Sequence, residues 1–342
     1  MAHGPQVMTP SSSLARVVKT SHGAAMRGAP PATPAVPDVV TRLGQLPGLD
    51  PGVARAWLAA VTLLRPEQWT KNLFIVAPLF FTPPALSLAN VATVAGGVLS
   101  FSLLASAIYI VNDYLDREAD RNHPTKAQRP LAAGTVSVSV ALALLILLLT
   151  GGFSLALWLS PAFAAVGAAY VAMNLAYSLR LKHVAIVDVL IIALSFVLRV
   201  LAGNVLIDVE PSAWILIVSG LLALFLALAK RRDDLVKSLD GQHRRSLTGY
   251  SQPFLDTAVA VVLGALLVTY MIYTTDRQVM AELGTERLVY TVFFLIAGVL
   301  RYLQITLVEN RSGSPTTVVL TDRFLIVTGA LWAATLAALI HF

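Results

Sequence analysis

The chain has 342 residues, no cysteine, 13% charged and 56% hydrophobic residues, and a mean hydropathy of +0.73. A soluble domain carries about 25% charged residues, so a soluble enzyme is excluded, as are disulfide frameworks, thiolate metal sites and cysteine nucleophiles. A net charge of +6 would suggest nucleic acid in a soluble protein, but in a polytopic membrane protein it reflects Lys and Arg on cytoplasmic loops, and no nucleic-acid partner is expected.

Residues 1–50 consist of Pro, Ser, Ala and Gly clusters, such as those in 28–37, with no sustained apolar period. This composition predicts a disordered cytoplasmic tail ahead of a transmembrane catalytic domain over 51–342. The tail lacks the continuous apolar core of a secretory signal, and its few basic residues are suited to anionic lipid.

Windows of about 19 residues then give nine spans, near Leu73–Leu88, Val91–Val111, Val136–Phe153, Leu155–Leu175, Ala185–Leu206, Ala213–Ala229, Phe254–Thr274, Leu288–Leu307 and Phe324–Phe342. The first is interrupted by Pro78, Pro83 and Pro84. The fold class expected is all-α, a polytopic bundle of nine transmembrane helices. Lys and Arg collect in the tail and in alternate loops, whereas only Arg277 and Arg287 occupy the opposite loops. The positive-inside rule therefore places the N-terminus in the cytoplasm and the C-terminus outside a bacterial inner membrane. Small residues such as Gly96, Gly97, Gly167 and Ala168 permit close helix packing within the chain or in a homo-oligomer.

The second span ends in the run Asn112-Asp113-Tyr114-Leu115-Asp116-Arg117-Glu118-Ala119-Asp120. On a continuing helix Asn112, Asp116 and Asp120 lie at i, i+4 and i+8, with Asp113 three residues before Asp116, so these side chains share one face. Like charges so placed repel unless a cation stands between them. Two readings fit: an oxygen-ligand Mg²⁺ site shared with substrate phosphates, or a solvated helix end balanced by Arg117, Arg121 and Lys126. Basic residues gather on the same side: Lys71 beside Asn72, Lys126 and Arg129, Arg180 and Lys182, and Lys230, Arg231 and Arg232. Singly each reads as a membrane anchor; together with the acidic run they describe a pocket for a phosphorylated substrate. Asp188 and Arg199 lie inside the fifth span, where ionisable residues are functional candidates. For Arg199, pairing within the bundle and substrate contact both fit.

The N-D-x-x-D-x-x-x-D run, followed by Lys126-Ala127-Gln128-Arg129-Pro130-Leu131-Ala132-Ala133-Gly134, resembles the first aspartate motif of the UbiA-type intramembrane prenyltransferase superfamily. Tyr177-Ser178-Leu179-Arg180-Leu181-Lys182 with Asp188 resembles its second motif, and the likeness covers roughly residues 60 to 342. Members that prenylate aromatic rings carry a second D-x-x-x-D pair, whereas here Ile192 stands four residues after Asp188. Arg65-Pro66-Glu67-Gln68-Trp69-Thr70-Lys71-Asn72, the segment from Phe196 to Gly203, Ala229-Lys230-Arg231-Arg232, and the segment from Arg244 to Ser251 are similar to the decaprenyl-phosphate phosphoribosyltransferase branch. That resemblance implies transfer of 5-phosphoribose from phosphoribosyl pyrophosphate to a polyprenyl (decaprenyl) phosphate, a step of arabinan cell-wall synthesis, with Mg²⁺ as cofactor and the active site on the cytoplasmic side.

The resemblance also implies roles. Asn112, Asp113, Asp116 and Asp120 hold Mg²⁺ and pyrophosphate, and Lys71, Asn72, Lys126 and Arg129 lie near the phosphates. Tyr177, Arg180, Lys182 and Asp188 form an opposing wall, and Arg199 is a further substrate-binding candidate. Lys230, Arg231, Arg244, Arg245 and Tyr250 cover the site from the longest cytoplasmic loop. The alternative within the fold is a prenyl diphosphate donor with an aromatic acceptor. A transporter would place its ionisable groups near the midplane on paired broken helices, a pattern this sequence lacks.

Overall fold

The computed structural model describes Met1 and residues 51–123, 125–239, 249–309 and 315–341. The chain divides into two units, Met1–Arg55 and Ala56–Phe342, and the helical bundle is the second. The expected tail, Arg244 and Arg245 lie outside the described residues.

No strand occurs among the described residues, and eight helical stretches are long and apolar enough to cross a bilayer. After α1 (Pro51–Leu64) the chain turns at Arg65 into a 3-10 stretch, Pro66–Val76, then a short helix α2 (Ala77–Phe81). The long helix α3 (Leu88–Leu115) follows and leads into α4 (Arg117–Arg121) and α5 (Pro130–Ala133). Three long helices come next, α6 (Val138–Leu159), α7 (Pro161–Leu179) and α8 (Val187–Leu206). The second half holds α9 (Ala213–Leu239), α10 (Gln252–Thr275), the short α11 (Arg277–Leu283), α12 (Val292–Leu303), α13 (Pro315–Thr321) and α14 (Arg323–His341).

Three sequence expectations change. The first of the nine spans is not one continuous helix, because Pro66, Pro78, Pro83 and Pro84 withhold backbone donors and leave 3-10 turns around α2. The break expected between Phe153 and Leu155 falls instead at Ser160, whose backbone is extended and whose hydroxyl caps α7 ahead of Pro161. Gly151 and Gly152 do not break α6; an added Cβ at Gly152 would stand 2.8 Å from Leu104, so glycine admits α3 at close range. Third, the sixth span does not end at Ala229 but continues through Leu239, so Lys230 and Arg231 sit on α9 and not in a loop.

Serine caps recur at helix starts. Ser87, Ser137, Ser160 and Ser251 each accept the amide three residues on, at 3.1–3.4 Å, satisfying a donor that lipid could not. In the first half Phe101 of α3 stacks near Phe163 and Tyr170 of α7, with centroids 5.5 and 5.2 Å apart. Gly97 and Gly167 are used inside the chain, against Phe163 and Leu206 and against Leu104. In the second half α9, α10 and α12 share a cluster that includes Phe225, Leu255, Leu263 and Tyr302. Apolar side chains such as Leu142, Ile146, Leu147 and Trp158 point outward, at 53–80% exposure, as a lipid-facing surface requires.

Candidate functional site at the polar end of the bundle

The helices alternate in direction, so the C-terminal ends of α3, α7 and α9 meet the N-terminal ends of α6, α8 and α10 at one end. The acidic run lies there. The backbone bends at Asp116, yet Asp116 and Asp120 still donate their amides to Asn112 and Asp116 at 2.9 and 2.8 Å. Asp113 and Asp120 are seven residues apart, nearly two full turns, and so share a face. Both are buried, at 2% and 3% exposure, and both accept from Nη1 of Arg129, at 3.1 and 2.7 Å. Asp113 is met also by Arg65 Nη2 at 2.5 Å, and Asp120 by Lys126 Nζ at 3.8 Å. Asp116 turns away to Lys182, whose Nζ lies 2.5 Å from its Oδ1. Of the four side chains expected on one face, Asn112, Asp113, Asp116 and Asp120, the structure joins Asp113 and Asp120 through Arg129, while Asp116, at the bend, pairs with Lys182. Asn112 stays half-buried beside Asp113.

The opposing wall is a second network. Asp188, 1% exposed in the first turn of α8, accepts from Arg231 Nε at 2.6 Å and from Tyr250 Oη at 2.5 Å. Arg231 also donates to Tyr177 Oη at 3.4 Å, and Tyr250 Oη accepts the amide of Ile186 at 2.6 Å. Burial first, then the bond to Asp188, pushes the Tyr250 phenol up to about 12, so it donates as a neutral hydroxyl. Arg180 and Lys230 are exposed at the same end.

The 3-10 segment runs inward beside α3. Arg65 meets Asp113, Trp69 Nε1 donates to Ser106 at 3.0 Å, and Asn72 Nδ2 donates to Ser102 at 2.9 Å. Asn72, read as a substrate contact, and Arg199, read either as a substrate contact or as paired within the bundle, meet each other. They are 0% and 3% exposed and bonded to each other, Arg199 Nε to Asn72 Oδ1 at 2.8 Å, which clamps the segment to α8. Lys71, beside this clamp and outside the eight spans, reaches solvent although protein surrounds it, as in a recess. Burial, then the charges of Arg199, Lys230 and Arg65, lower its pKa to about 8.

Sequence reasoning gave Arg65 no role of its own. Arg65 takes a left-handed conformation, φ 53°, and reaches Asp113 past the ring of Tyr109, 5.1 Å away; its position before Pro66 was no signal for this, since such residues ordinarily take extended backbone. Tyr170, which accepts from Arg199 Nη2 at 3.0 Å, carried no signal either.

Among the described residues no three His, Cys, Asp or Glu side chains converge as a ready-made metal cage. The donors nevertheless fit Mg²⁺, which binds proteins through one or two carboxylates and takes its remaining ligands from water and phosphate. Asp113 and Asp120 are all-oxygen donors already gathered around one positive nitrogen.

Eight apolar helical stretches define a multi-pass membrane protein, with carboxylates and cations gathered at one end. The chain belongs to the UbiA prenyltransferase family, whose model matches residues 72–327. It is 34% identical over 294 residues to a decaprenyl-phosphate phosphoribosyltransferase of Mycolicibacterium smegmatis, covering 82% of this chain and 92% of that one. A protein of the same name from Corynebacterium glutamicum is 33% identical over 279 residues, covering 80% and 83%. A UbiA homologue from Archaeoglobus fulgidus solved with GPP and Mg²⁺ shares the fold, with a TM-score of 0.60 at 22% identity over 83% of this chain and 100% of that one.

Proposed function

We propose that this protein transfers 5-phosphoribose from phosphoribosyl pyrophosphate to a polyprenyl phosphate, such as decaprenyl phosphate, releasing pyrophosphate on the cytoplasmic side of the membrane. One observation carries this reading beyond the family: a single carboxylate pair, Asp113 with Asp120, gathers around one cation, while the opposing Asp188 is committed to Arg231 and Tyr250. A prenyl diphosphate held between two aspartate pairs would need a second free carboxylate there, and position 192 is isoleucine. A phosphoribosyl donor asks for one metal-pyrophosphate site and further cations for its separate phosphate.

Asp113 and Asp120 would hold Mg²⁺, which when bound supplies positive charge to the departing pyrophosphate; Asn112 neighbours Asp113, and Asp116, expected as a further ligand, is paired with Lys182. Arg129, Lys126 and Lys182 stand beside these carboxylates and offer charge-assisted hydrogen bonds to the same oxygens. The acceptor phosphate has its second pKa near 6, so it attacks as the dianion and needs no general base. Its oxygen forms a bond to the anomeric carbon as the bond to pyrophosphate breaks. The protein contributes alignment of the two and stabilisation of the leaving charge.

The test is transfer of label from phosphoribosyl pyrophosphate to decaprenyl phosphate by purified protein in detergent, with and without Mg²⁺. A labelled lipid formed only with Mg²⁺ is expected, and none from Asp113→Ala or Asp116→Ala. Turnover of a prenyl diphosphate with an aromatic acceptor, and none with the phosphoribosyl donor, would replace this reading by the other activity of the fold.

A further inference from the structure

Three side chains at and after the turn into the 3-10 stretch donate to three acceptors on α3. Arg65 Nη2 meets Asp113 Oδ1 at 2.5 Å, Trp69 Nε1 meets Ser106 Oγ at 3.0 Å, and Asn72 Nδ2 meets Ser102 Oγ at 2.9 Å. The donors advance along the chain while the acceptors retreat, so the stretch runs antiparallel to α3. The acceptors are separated by about one helical turn and about two, and so occupy one face of α3. A slip of the stretch along that face would carry Arg65 away from Asp113.

Ser102 and Ser106 are 1% and 0% exposed, and each must also place its own hydroxyl hydrogen. Ser102 directs it within α3, to the carbonyl of Val98 at 2.7 Å. Ser106 directs it across, to the carbonyl of Leu64 at 2.7 Å. Leu64 is the last residue of α1, where carbonyls have no partner within their own helix. One hydroxyl thus grips the chain on both sides of Arg65, at Leu64 before it and at Trp69 after it. Between those grips Arg65 holds a left-handed backbone, φ 53° and ψ 58°, a conformation that persists where the surroundings fix it.

We propose that Ser106 is a positioning residue for the metal carboxylate Asp113, and that it acts through Arg65. By holding Leu64 and Trp69 it fixes the turn that presents the guanidinium to Asp113. Arg65 and Arg129 both meet Oδ1, which pins the carboxylate by one oxygen and leaves the other for a divalent ion. At 2% exposure Asp113 takes its orientation from protein partners rather than from solvent, and such partners tune a metal ligand. The assignment rests on reading Asp113 and Asp120 as the Mg²⁺ pair, and not on which donor that metal serves.

The test is binding of Mn²⁺, which shares the oxygen-ligand preference of Mg²⁺, followed by the electron paramagnetic resonance of the free ion over full-length protein in detergent with pyrophosphate. Ser106→Ala, and Trp69→Phe, which removes the indole N–H and keeps a ring, are each expected to weaken Mn²⁺ about tenfold, the lower end for a partner of a metal ligand. Arg65→Gln should do the same. Ser106→Ala with Arg65→Gln should be no worse than Arg65→Gln alone, because the serine works through the arginine; a merely structural serine would multiply the two losses. Ser100→Ala is the control. Ser100 is equally buried on α3 but donates to the carbonyl of Gly152 on α6 at 2.9 Å, and its loss should leave Mn²⁺ affinity within about twofold. Unchanged affinity in Ser106→Ala and Trp69→Phe, tighter binding in Arg65→Gln, or multiplied losses in the double variant overturns the proposal. If Asp113→Asn binds Mn²⁺ as wild type does, the metal reading of Asp113 falls and takes the proposal with it. If Asp113→Asn alone loses Mn²⁺, the metal reading stands and the proposal falls.

Discussion

Lys182 Nζ lies 2.5 Å from Asp116 Oδ1, joining the turn after α7 to the end of α3 across 66 residues of sequence. The pair sits where the acidic run bends away from Asp113 and Asp120, so it sets the direction in which Asp116 points. Lys182→Met is expected to lower kcat about 100-fold, the scale of removing one charge-stabilising group, with the protein still inserted and monodisperse. Lys182→Met with Asp116→Asn should be no worse than the more damaging single change, since groups acting as a unit are not additive. Multiplying losses in a kinetic double-mutant cycle would show that the two act independently.

The Tyr250 hydroxyl serves two partners, donating to Asp188 and accepting from the Ile186 amide. Ile186 sits at φ 70°, a costly position for a β-branched residue, and that amide bond helps to hold it. Tyr250→Phe removes the acceptor of the part-buried Ile186 amide and the donor to Asp188, and should cost about 1 kcal/mol, read as a lowered midpoint of thermal unfolding in detergent. An unchanged midpoint would mean that Tyr250 does not secure the start of α8.

Gly203 marks the closest approach of α8 to the 3-10 segment. An added Cβ would lie 2.1 Å from the carbonyl oxygen of Ile75 and 3.0 Å from Pro78, and neither backbone nor ring can step aside cheaply. Gly203→Ala is expected to cost about 3 kcal/mol, the upper end of ordinary overpacking, and to lower the yield of folded protein by size-exclusion chromatography. Gly264→Ala, where a Cβ would meet nothing within 4 Å, is the control and should be neutral or stabilising. Equal behaviour of the two would remove the steric account.

Lys71 gives a pH dependence with a definite sign. Its pKa is lowered to about 8, so the amine is a cation below that value and increasingly neutral above it. The family resemblance sets Lys71 near the substrate phosphates, so affinity for phosphoribosyl pyrophosphate should fall as pH rises through about 8. Lys71→Arg, which stays charged, should carry that affinity to higher pH. A wild-type profile that is flat between pH 7 and 9 would show that the ammonium makes no contact.

Much of the fold was legible because lipid imposes one rule: every crossing must satisfy its own backbone, so apolar length and serine or proline at the boundary mark each helix. The first span misled because proline fixes backbone angles without announcing which short helical form results. The extent of α9 was hidden since Lys230, Arg231 and Arg232 read as the end of a span when composition alone is counted. At the site the residue types were legible, but the pairing was not. Spacing placed Asp116 with Asp120; the bend that separates them, and the choice of Lys182, Arg129 and Arg65 as partners, depend on segments that are distant in sequence. Asn72, and on one of its two readings Arg199, read as substrate ligands because both are polar within apolar surroundings, a property that an internal clamp shares.

That clamp bears on the order in which the chain can assemble. The segment carrying Asn72 is synthesised first, yet one partner, Ser102, lies 30 residues later and the other, Arg199, lies 127 residues later. Until α8 has inserted, the carboxamide has only Ser102 of α3 to meet, and the irregular backbone around it lacks the protein cover that lipid demands of it. A nascent chain stopped short of Arg199 would therefore hold that segment at the membrane surface, and its docking would wait until the fourth of the eight spanning stretches is in place.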